Sequence, residues 1–209
     1  MNVIVTIKSW NITKAKDLGY KVVSNLDDIK SLNPRYIFFP YWSRMIPKEI
    51  YENFECVVFH MTDLPYGRGG SPLQNLIVRG FKETKISAIR VTGGIDAGPV
   101  YMKDDLSLEG TADEILTRAA DIIFNMIPKI VGTEPTPQEG TVTEFTRRVP
   151  QQGNLNINWI GEVDSVYDHI RMLDGEGCPP AFIKTNKYRI EFTGAKQENG
   201  YVTATVKIY

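Results

Sequence analysis

Apolar positions over the first two-thirds of the chain fall into two kinds of run, and the two kinds alternate. Val3 to Ile7 repeats with the two-residue period of a strand, and Ile12 to Leu18 predicts a short helix ended by Gly19. Arg35 to Phe39 and Cys56 to Phe59 are continuous apolar runs, the pattern of strands covered on both faces in a parallel sheet. Between them Pro47 to Asn53 predicts a helix with proline in its first turn. A glycine-rich loop, Gly67-Arg68-Gly69-Gly70, leads into a helix over about Ser71 to Arg79, followed by strands at Lys85 to Val91 and Pro99 to Met102. The longest helix starts at Thr111, where Thr111 and Glu114 have capping-box spacing. Its stripe is Ile115, Leu116, Ala119, Ile122, Ile123, Met126 and Ile127, and Pro128 is expected to kink or end it.

Residues 132 to 140 read as a polar, proline-bearing linker. Beyond it a helix over Val163 to Leu173 precedes strand-like segments at Ala181 to Lys184, Tyr188 to Phe192 and Tyr201 to Ile208. The expected architecture is therefore α/β, with a Rossmann-like, mostly parallel sheet over residues 1–140 and a small α+β appendage over 141–209.

Composition narrows the function classes. Of the 209 residues, 42% are hydrophobic and 23% charged, and the formal net charge is −1, so no overall basic field draws in nucleic acid. No run approaches a membrane span, and the N-terminus lacks signal-peptide features. Cys56 and Cys178 have no metal spacing and read as reduced thiols, so a cytoplasmic location is expected, with no membrane and no DNA partner. Self-association is left open.

Two segments carry candidate chemistry. In Val57-Val58-Phe59-His60-Met61-Thr62-Asp63-Leu64-Pro65-Tyr66-Gly67-Arg68-Gly69-Gly70-Ser71-Pro72, an apolar strand delivers a histidine at its C-terminal end, where open α/β sheets bind ligands. Thr92-Gly93-Gly94-Ile95-Asp96-Ala97-Gly98-Pro99 places a carboxylate in another loop after a strand. A carboxylate beside an imidazole can orient it for proton transfer. Singly, His60 is equally well a structural histidine, and Asp96 before Ala-Gly is better read as a turn residue.

Together the segments resemble the formyltransferase superfamily, which includes methionyl-tRNA, glycinamide-ribonucleotide and sugar-nucleotide formyltransferases. That family has a strand ending Asn-x-His, a loop with Leu-Pro, Arg-Gly and Pro, and an Asp-x-Gly loop. His60, Thr62, Leu64, Pro65, Arg68, Gly69, Pro72, Asp96 and Gly98 fall on this pattern, and Tyr41 to Ile50 resembles the folate-contacting loop and the helix after it. The resemblance implies that 10-formyltetrahydrofolate is the co-substrate, contacted by Arg44, Met45, Ile46, Gly70, Thr92, Gly93, Gly94, Ile95 and Asp96. His60 and Asp96 become the catalytic pair, Thr62, Tyr66 and Arg68 the acceptor side, and no metal is required.

One position departs from the pattern. The family asparagine, an oxyanion donor, is Val58 here, so either Thr62, Asn75 or backbone N–H groups replace it, with Thr62 expected first, or activity is weak or lost. On this reading an asparagine at Val58 would bury an unpartnered amide and lower stability.

The acceptor amine is read from the tail. Glu162, Asp164, Asp168, Asp174, Glu176, Glu191 and Glu198 argue against tRNA, and Tyr41, Trp42, Tyr66 and Trp159 are suited to stack a base. An aminosugar nucleotide is therefore expected. The alternatives are a methionyl-tRNA formyltransferase-like enzyme, a formyltetrahydrofolate hydrolase, and a non-catalytic folate- or nucleotide-binding relative.

Overall fold

A computed structural model describes residues 1–158 and 162–209, and its residues group into two compact units, both discontinuous in sequence. The first comprises Met1–Gly69, Thr84–Leu106 and Thr117–Glu144; the second comprises Gly70–Glu83, Ser107–Leu116 and Phe145–Tyr209.

In chain order the elements are β1 (Asn2–Val5), α1 (Ser9–Asp17), β2 (Lys21–Val23), α2 (Ile29–Leu32), β3 (Tyr36–Phe39), α3 (Lys48–Tyr51), β4 (Glu55–His60), β5 (Arg68–Gly69), α4 (Pro72–Ile77), β6 (Glu83–Arg90), β7 (Val100–Ser107) and α5 (Ala112–Ile130). After these come β8 (Glu144–Phe145), α6 (Leu155–Asn158), α7 (Val163–Arg171), β9 (Ala181–Lys184), β10 (Arg189–Glu198) and β11 (Tyr201–Ile208).

A six-stranded sheet of order β2-β1-β3-β4-β6-β7 forms the centre of the first unit. β1, β2, β3 and β4 run parallel, and β6 pairs antiparallel to β4. The continuous apolar runs are explained by this position: every residue of β3 is buried. Alternate residues serve the two faces, so Val3, Val5, Ile37, Phe39 and Cys56 join Ile46 and Ile50 in one cluster, while the rings of Phe38 and Phe59 stack with centroids 6.4 Å apart. Burial, with the Glu55 charge beside it, pushes the Cys56 thiol up to about 12, which keeps it protonated and inert at neutral pH.

Several boundaries differ from the sequence pattern, those of β7 and α5 among them. β7 runs on through Lys103, Asp104 and Asp105, because an edge strand tolerates charge that a central one does not. α5 continues two residues beyond Pro128 to Ile130, which is fully buried. Its expected start holds: Glu114 Oε2 accepts from the Thr111 N–H at 2.8 Å, and Thr111 Oγ1 accepts from the Glu114 N–H at 3.3 Å.

The second unit contains α7 and the antiparallel sheet β11-β10-β9. Leu155, Ile170, Ala181 and Ala195 are its buried cluster, with Tyr167, Phe192, Val202 and Ala204 packed around them. The buried Arg171 guanidinium is held by Asp168 at 2.6 Å and by the carbonyls of Leu108 and Gly110 at 2.5 and 2.8 Å. The expected stacking residue Trp159 lies outside the described residues.

His169 is buried, and burial first, then the charge of Arg148, holds its ring below the usual 6.5. The folded chain therefore keeps His169 neutral while the unfolded chain takes up a proton as pH falls through 6.5. Stability is expected to be complete above about pH 6.5 and to fall below it, by at most about 1.4 kcal/mol per pH unit. Urea midpoints at pH 7.5 and 5.5 should separate further for the parent than for His169→Gln; equal separations would assign the acid sensitivity to another group.

Candidate active site

β4 ends in His60 and β6 ends in Arg90, and the loop after β6 passes beside the end of β4. The course of that loop depends on Gly98. A Cβ there would lie 1.8 Å from the Arg90 carbonyl oxygen, and the Arg90 N–H donates to Pro99 O at 2.9 Å, so the returning chain is pressed against the strand it has just left. Two residues earlier Asp96 adopts φ +47°, in the left-handed region that short polar side chains tolerate best. The Asp-Ala-Gly spacing thus supplies the contact-permitting glycine and lifts the carboxylate off the strand end.

Asp96 Oδ2 stands 3.4 Å from His60 Nδ1 and accepts the Gly69 N–H at 2.9 Å. One carboxylate oxygen therefore joins the histidine to the glycine-rich loop. On the opposite side of the ring, His60 Nε2 lies 2.8 Å from Gly67 O, and since a carbonyl only accepts, that nitrogen carries the hydrogen. Nδ1 then faces the carboxylate. The 3.4 Å separation is looser than a formed hydrogen bond, as is common before substrate closes a catalytic site.

A cleft opens at this pair. Its walls are Trp42, Arg44, Met45, Ile46, Val58, Phe59, His60, Ile89, Arg90, Val91, Thr92, Gly94, Ile95, Asp96 and Gly98. Of the expected donor-contacting residues, Arg44, Met45, Ile46, Thr92, Gly94, Ile95 and Asp96 are brought together here. Gly93 sits in the same loop, its Cβ position 3.7 Å from the Tyr51 hydroxyl. Gly70 belongs to the second unit, where its N–H donates to Phe145 O at 3.1 Å and a Cβ would meet Arg147 at 2.5 Å. Met45 and Ile95, 75% and 63% exposed, stand at the cleft as apolar side chains with their faces bare. The Trp42 Nε1–H is buried without a hydrogen-bond partner among the described residues.

The acceptor-side candidates are distributed differently. Thr62 is fully buried and its hydroxyl points at Gly67 O, 3.4 Å away. Tyr66 is half-buried. Arg68 gives Nε and Nη2 to Gln138 Oε1 at 3.2 and 2.8 Å, and Gln138 Nε2 donates to the carbonyls of Asp96 and Gly98, each at 2.8 Å. Gln138 therefore ties the Arg-Gly loop to the Asp-x-Gly loop. It lies in the segment read from sequence as a linker, and only its polarity marked it. Thr143 adds a second brace, accepting the Gly67 N–H at 2.7 Å.

The expected replacements for the family asparagine are engaged elsewhere. Thr62 does not line the cleft, and the Asn75 amide donates to the carbonyls of Gly70, Ser71 and Thr146 at 3.0–3.1 Å. Val58 itself is half-buried and forms part of the cleft wall. Val58 packs against the core cluster and also lines the cleft, so an asparagine there can turn its amide to the cleft, and no loss of stability is then expected. Val58→Asn is expected to leave the thermal midpoint within a few degrees and to speed formyl transfer at least about tenfold, within the roughly 100- to 1000-fold attributed to one oxyanion donor. An unchanged single-turnover rate would mean that backbone N–H groups already fill that place.

Comparison with known proteins bears on what this arrangement is. Residues 12–131 match the Formyl transferase family, and residues 150–209 match the family described as methionyl-tRNA formyltransferase, C-terminal domain. The chain belongs to the formyl transferase family. The solved methionyl-tRNA formyltransferase from Clostridium thermocellum is 53% identical with a TM-score of 0.94, over 100% of this chain and 99% of that one. The curated methionyl-tRNA formyltransferase of Thermodesulfovibrio yellowstonii is 26% identical over 82% of this chain, which spans 58% of that relative's length. HypX from Aquifex aeolicus, solved with tetrahydrofolic acid, shares the fold at 14% identity and TM-score 0.72, over 95% of this chain and 39% of that one.

These formyl transferase relatives overturn the expected aminosugar-nucleotide acceptor and the reading against tRNA, and favour the methionyl-tRNA formyltransferase-like alternative, because they carry the name methionyl-tRNA formyltransferase. A count of acidic residues does not report which of them the surface offers to a partner, and four of the seven are engaged within their own unit. Asp168 pairs with Arg171, Glu191 with Arg189, Asp164 accepts from Gln197, and Asp174 accepts the Gly194 N–H. Arg79, Arg147 and Arg148, in contrast, have no carboxylate partner among the described residues. Among the described residues no helix is long and apolar enough to cross a membrane.

Proposed function

We propose that this chain transfers a formyl group from 10-formyltetrahydrofolate to the amine of an aminoacyl-tRNA of the methionyl class, in the cytoplasm. The observation that carries the reading is the His60–Asp96 pair at the head of a cleft whose loops follow the family's two motifs. Identity of 53% over the full chain to a methionyl-tRNA formyltransferase supports the acceptor. In this reading residues 1–140 supply the reaction centre and 141–209 the appended domain.

The cleft suits the donor's chemistry. Trp42, Ile46, Phe59 and Ile89 offer apolar walls to a flat conjugated ring, and the bare Met45 and Ile95 flank it. The acceptor amine attacks as the neutral base. A nitrogen–carbon bond forms to the formyl carbon, the bond from that carbon to the folate nitrogen breaks, and one proton moves from the attacking to the leaving nitrogen. His60 stands at this point with Nε2 fixed by Gly67 O, leaving Nδ1 to handle the proton under Asp96. Gln138 and the Gly69 N–H hold the carboxylate's loop in place.

The test is release of tetrahydrofolate from the formyl donor, with charged initiator tRNA, with uncharged tRNA, and with water alone. Release that depends on the charged tRNA is the expected result. Release in water alone would make the chain a hydrolase, and donor binding without release a non-catalytic relative.

A further inference from the structure

We infer that Gln138 is a positioning residue for the transfer step, gripping the Asp96 backbone so that its carboxylate meets His60. The inference rests on the role given above to the His60–Asp96 pair, and adds to that pair a third residue remote in sequence.

The two members of the pair are not held alike. His60 is the last residue of β4, paired with Ser87 of β6, and its ring is fixed by Gly67 O. Asp96 lies in Gly93-Gly94-Ile95-Asp96-Ala97-Gly98, where three of the six residues are glycine and Gly93, Gly94 and Ile95 are exposed. Glycine leaves such a stretch many conformations. Inside it the Ala97 N–H stands 3.5 Å from Gly94 O, longer than a well-formed hydrogen bond. The place of the Asp96 carboxylate is therefore decided by what grips the loop from outside.

Gln138 supplies that grip with every polar atom of its side chain. Nε2 donates to two backbone carbonyls of the loop, Asp96 O and Gly98 O, each at 2.8 Å. Oε1 accepts from Nε and Nη2 of Arg68 at 3.2 and 2.8 Å. A guanidinium only donates and a carbonyl only accepts, so the amide fits only this way round. Glutamate could serve Arg68 but would set a carboxylate against two carbonyls, and methionine, of similar length, could serve neither.

The anchorage of Gln138 comes from the residues around it. Pro135 and Pro137 restrict the backbone on either side of Thr136. Thr136 exchanges both N–H···O bonds with Val100, at 2.7 and 2.8 Å, two residues beyond Gly98. Farther on, the Thr143 carbonyl accepts the Arg68 N–H at 3.0 Å and its hydroxyl accepts the Gly67 N–H at 2.7 Å. Residues 136–143 thus hold both partners of the imidazole: Gly67, which fixes Nε2, and Asp96, which faces Nδ1. A displacement of about 1 Å in a catalytic group is enough to cost about 100-fold in rate.

Gln138→Met and Gln138→Glu in the full chain are the test. Single-turnover transfer at saturating donor and charged tRNA is expected to fall about 10- to 100-fold in both, with the circular dichroism of the parent. Donor affinity should stay within about threefold, which separates placement of the carboxylate from loss of binding. Combined with Asp96→Asn, Gln138→Met should cost less than about threefold further, because it acts through that carboxylate. A second readout is independent of turnover. The Gly69 N–H donates to Asp96 Oδ2, and its exchange with deuterium should quicken at least about tenfold in Gln138→Met, while the Gly67 N–H, held by Thr143, keeps the parent rate. Parent-like transfer by either single variant, the full rate loss repeated in the Asp96→Asn background, or unchanged exchange at Gly69 would each overturn the proposal. A parent chain that transfers formyl to no acceptor would instead sink the functional reading, and exchange at Gly69 would then alone decide whether Gln138 places Asp96.

Discussion

Replacing His60 by asparagine is expected to lower the single-turnover rate of formyl transfer by about 100- to 10,000-fold, the usual contribution of a positioned acid–base group. The fold should survive. His60 is buried, and its structural tie is one bond from Nε2 to Gly67 O, which a shorter amide can partly replace. What the amide cannot replace is Nδ1, the nitrogen facing Asp96 at 3.4 Å, since an amide neither takes up nor releases a proton near neutral pH. Rate, donor binding and circular dichroism should be measured on the same preparation. A variant that folds, binds donor and turns over at the parent rate would remove His60 from the chemistry.

Asp96→Asn is expected to cost about 100-fold or more in rate while donor affinity changes only a few-fold. Asparagine accepts a left-handed backbone as readily as aspartate, so the +47° φ is no obstacle. The amide oxygen can still accept the Gly69 N–H, and because that same atom is the one nearest His60 Nδ1, a neutral oxygen then faces the ring in place of a charged one. With Nε2–H donating to Gly67 O, a proton taken up at Nδ1 makes the ring a cation, and the neutral amide no longer supplies the charge that stabilises it. Isothermal titration with a non-transferable folate, set beside single-turnover kinetics, separates the two quantities. If affinity falls as steeply as rate, Asp96 serves chiefly to bind the donor.

The sheet was legible because burial on both faces leaves a mark that needs no knowledge of the partner. Tyr36 to Phe39 and Cys56 to Phe59 are apolar throughout, and the histidine at the end of the second run marks the end of a strand as well as the start of a site. The helix from Ala112 was legible for a similar reason: its cap and its stripe are both local. β10 was read too short because Thr193-Gly194-Ala195-Lys196-Gln197 has no apolar alternation, and its strand conformation comes from pairing with β11.

What the sequence by itself determined, then, is what depends on neighbours within a turn or a strand: the alternation of elements, the apolar runs, the helix cap and the two motifs that bear His60 and Asp96. What tertiary structure decided are relations between distant residues. Gln138 is 70 positions from Arg68, and nothing in the polar stretch around it says that its amide would bridge two active-site loops. The orientation of Val58 towards the cleft, the engagement of the Asn75 amide by three carbonyls, and the spending of the tail's carboxylates inside their own unit are of the same kind. The physical reason is common to all of them. Periodicity records whether a side chain is buried, because burial imposes a repeat along the chain's own axis, whereas a hydrogen bond or ion pair depends on the direction and distance of a partner that only the folded chain brings near.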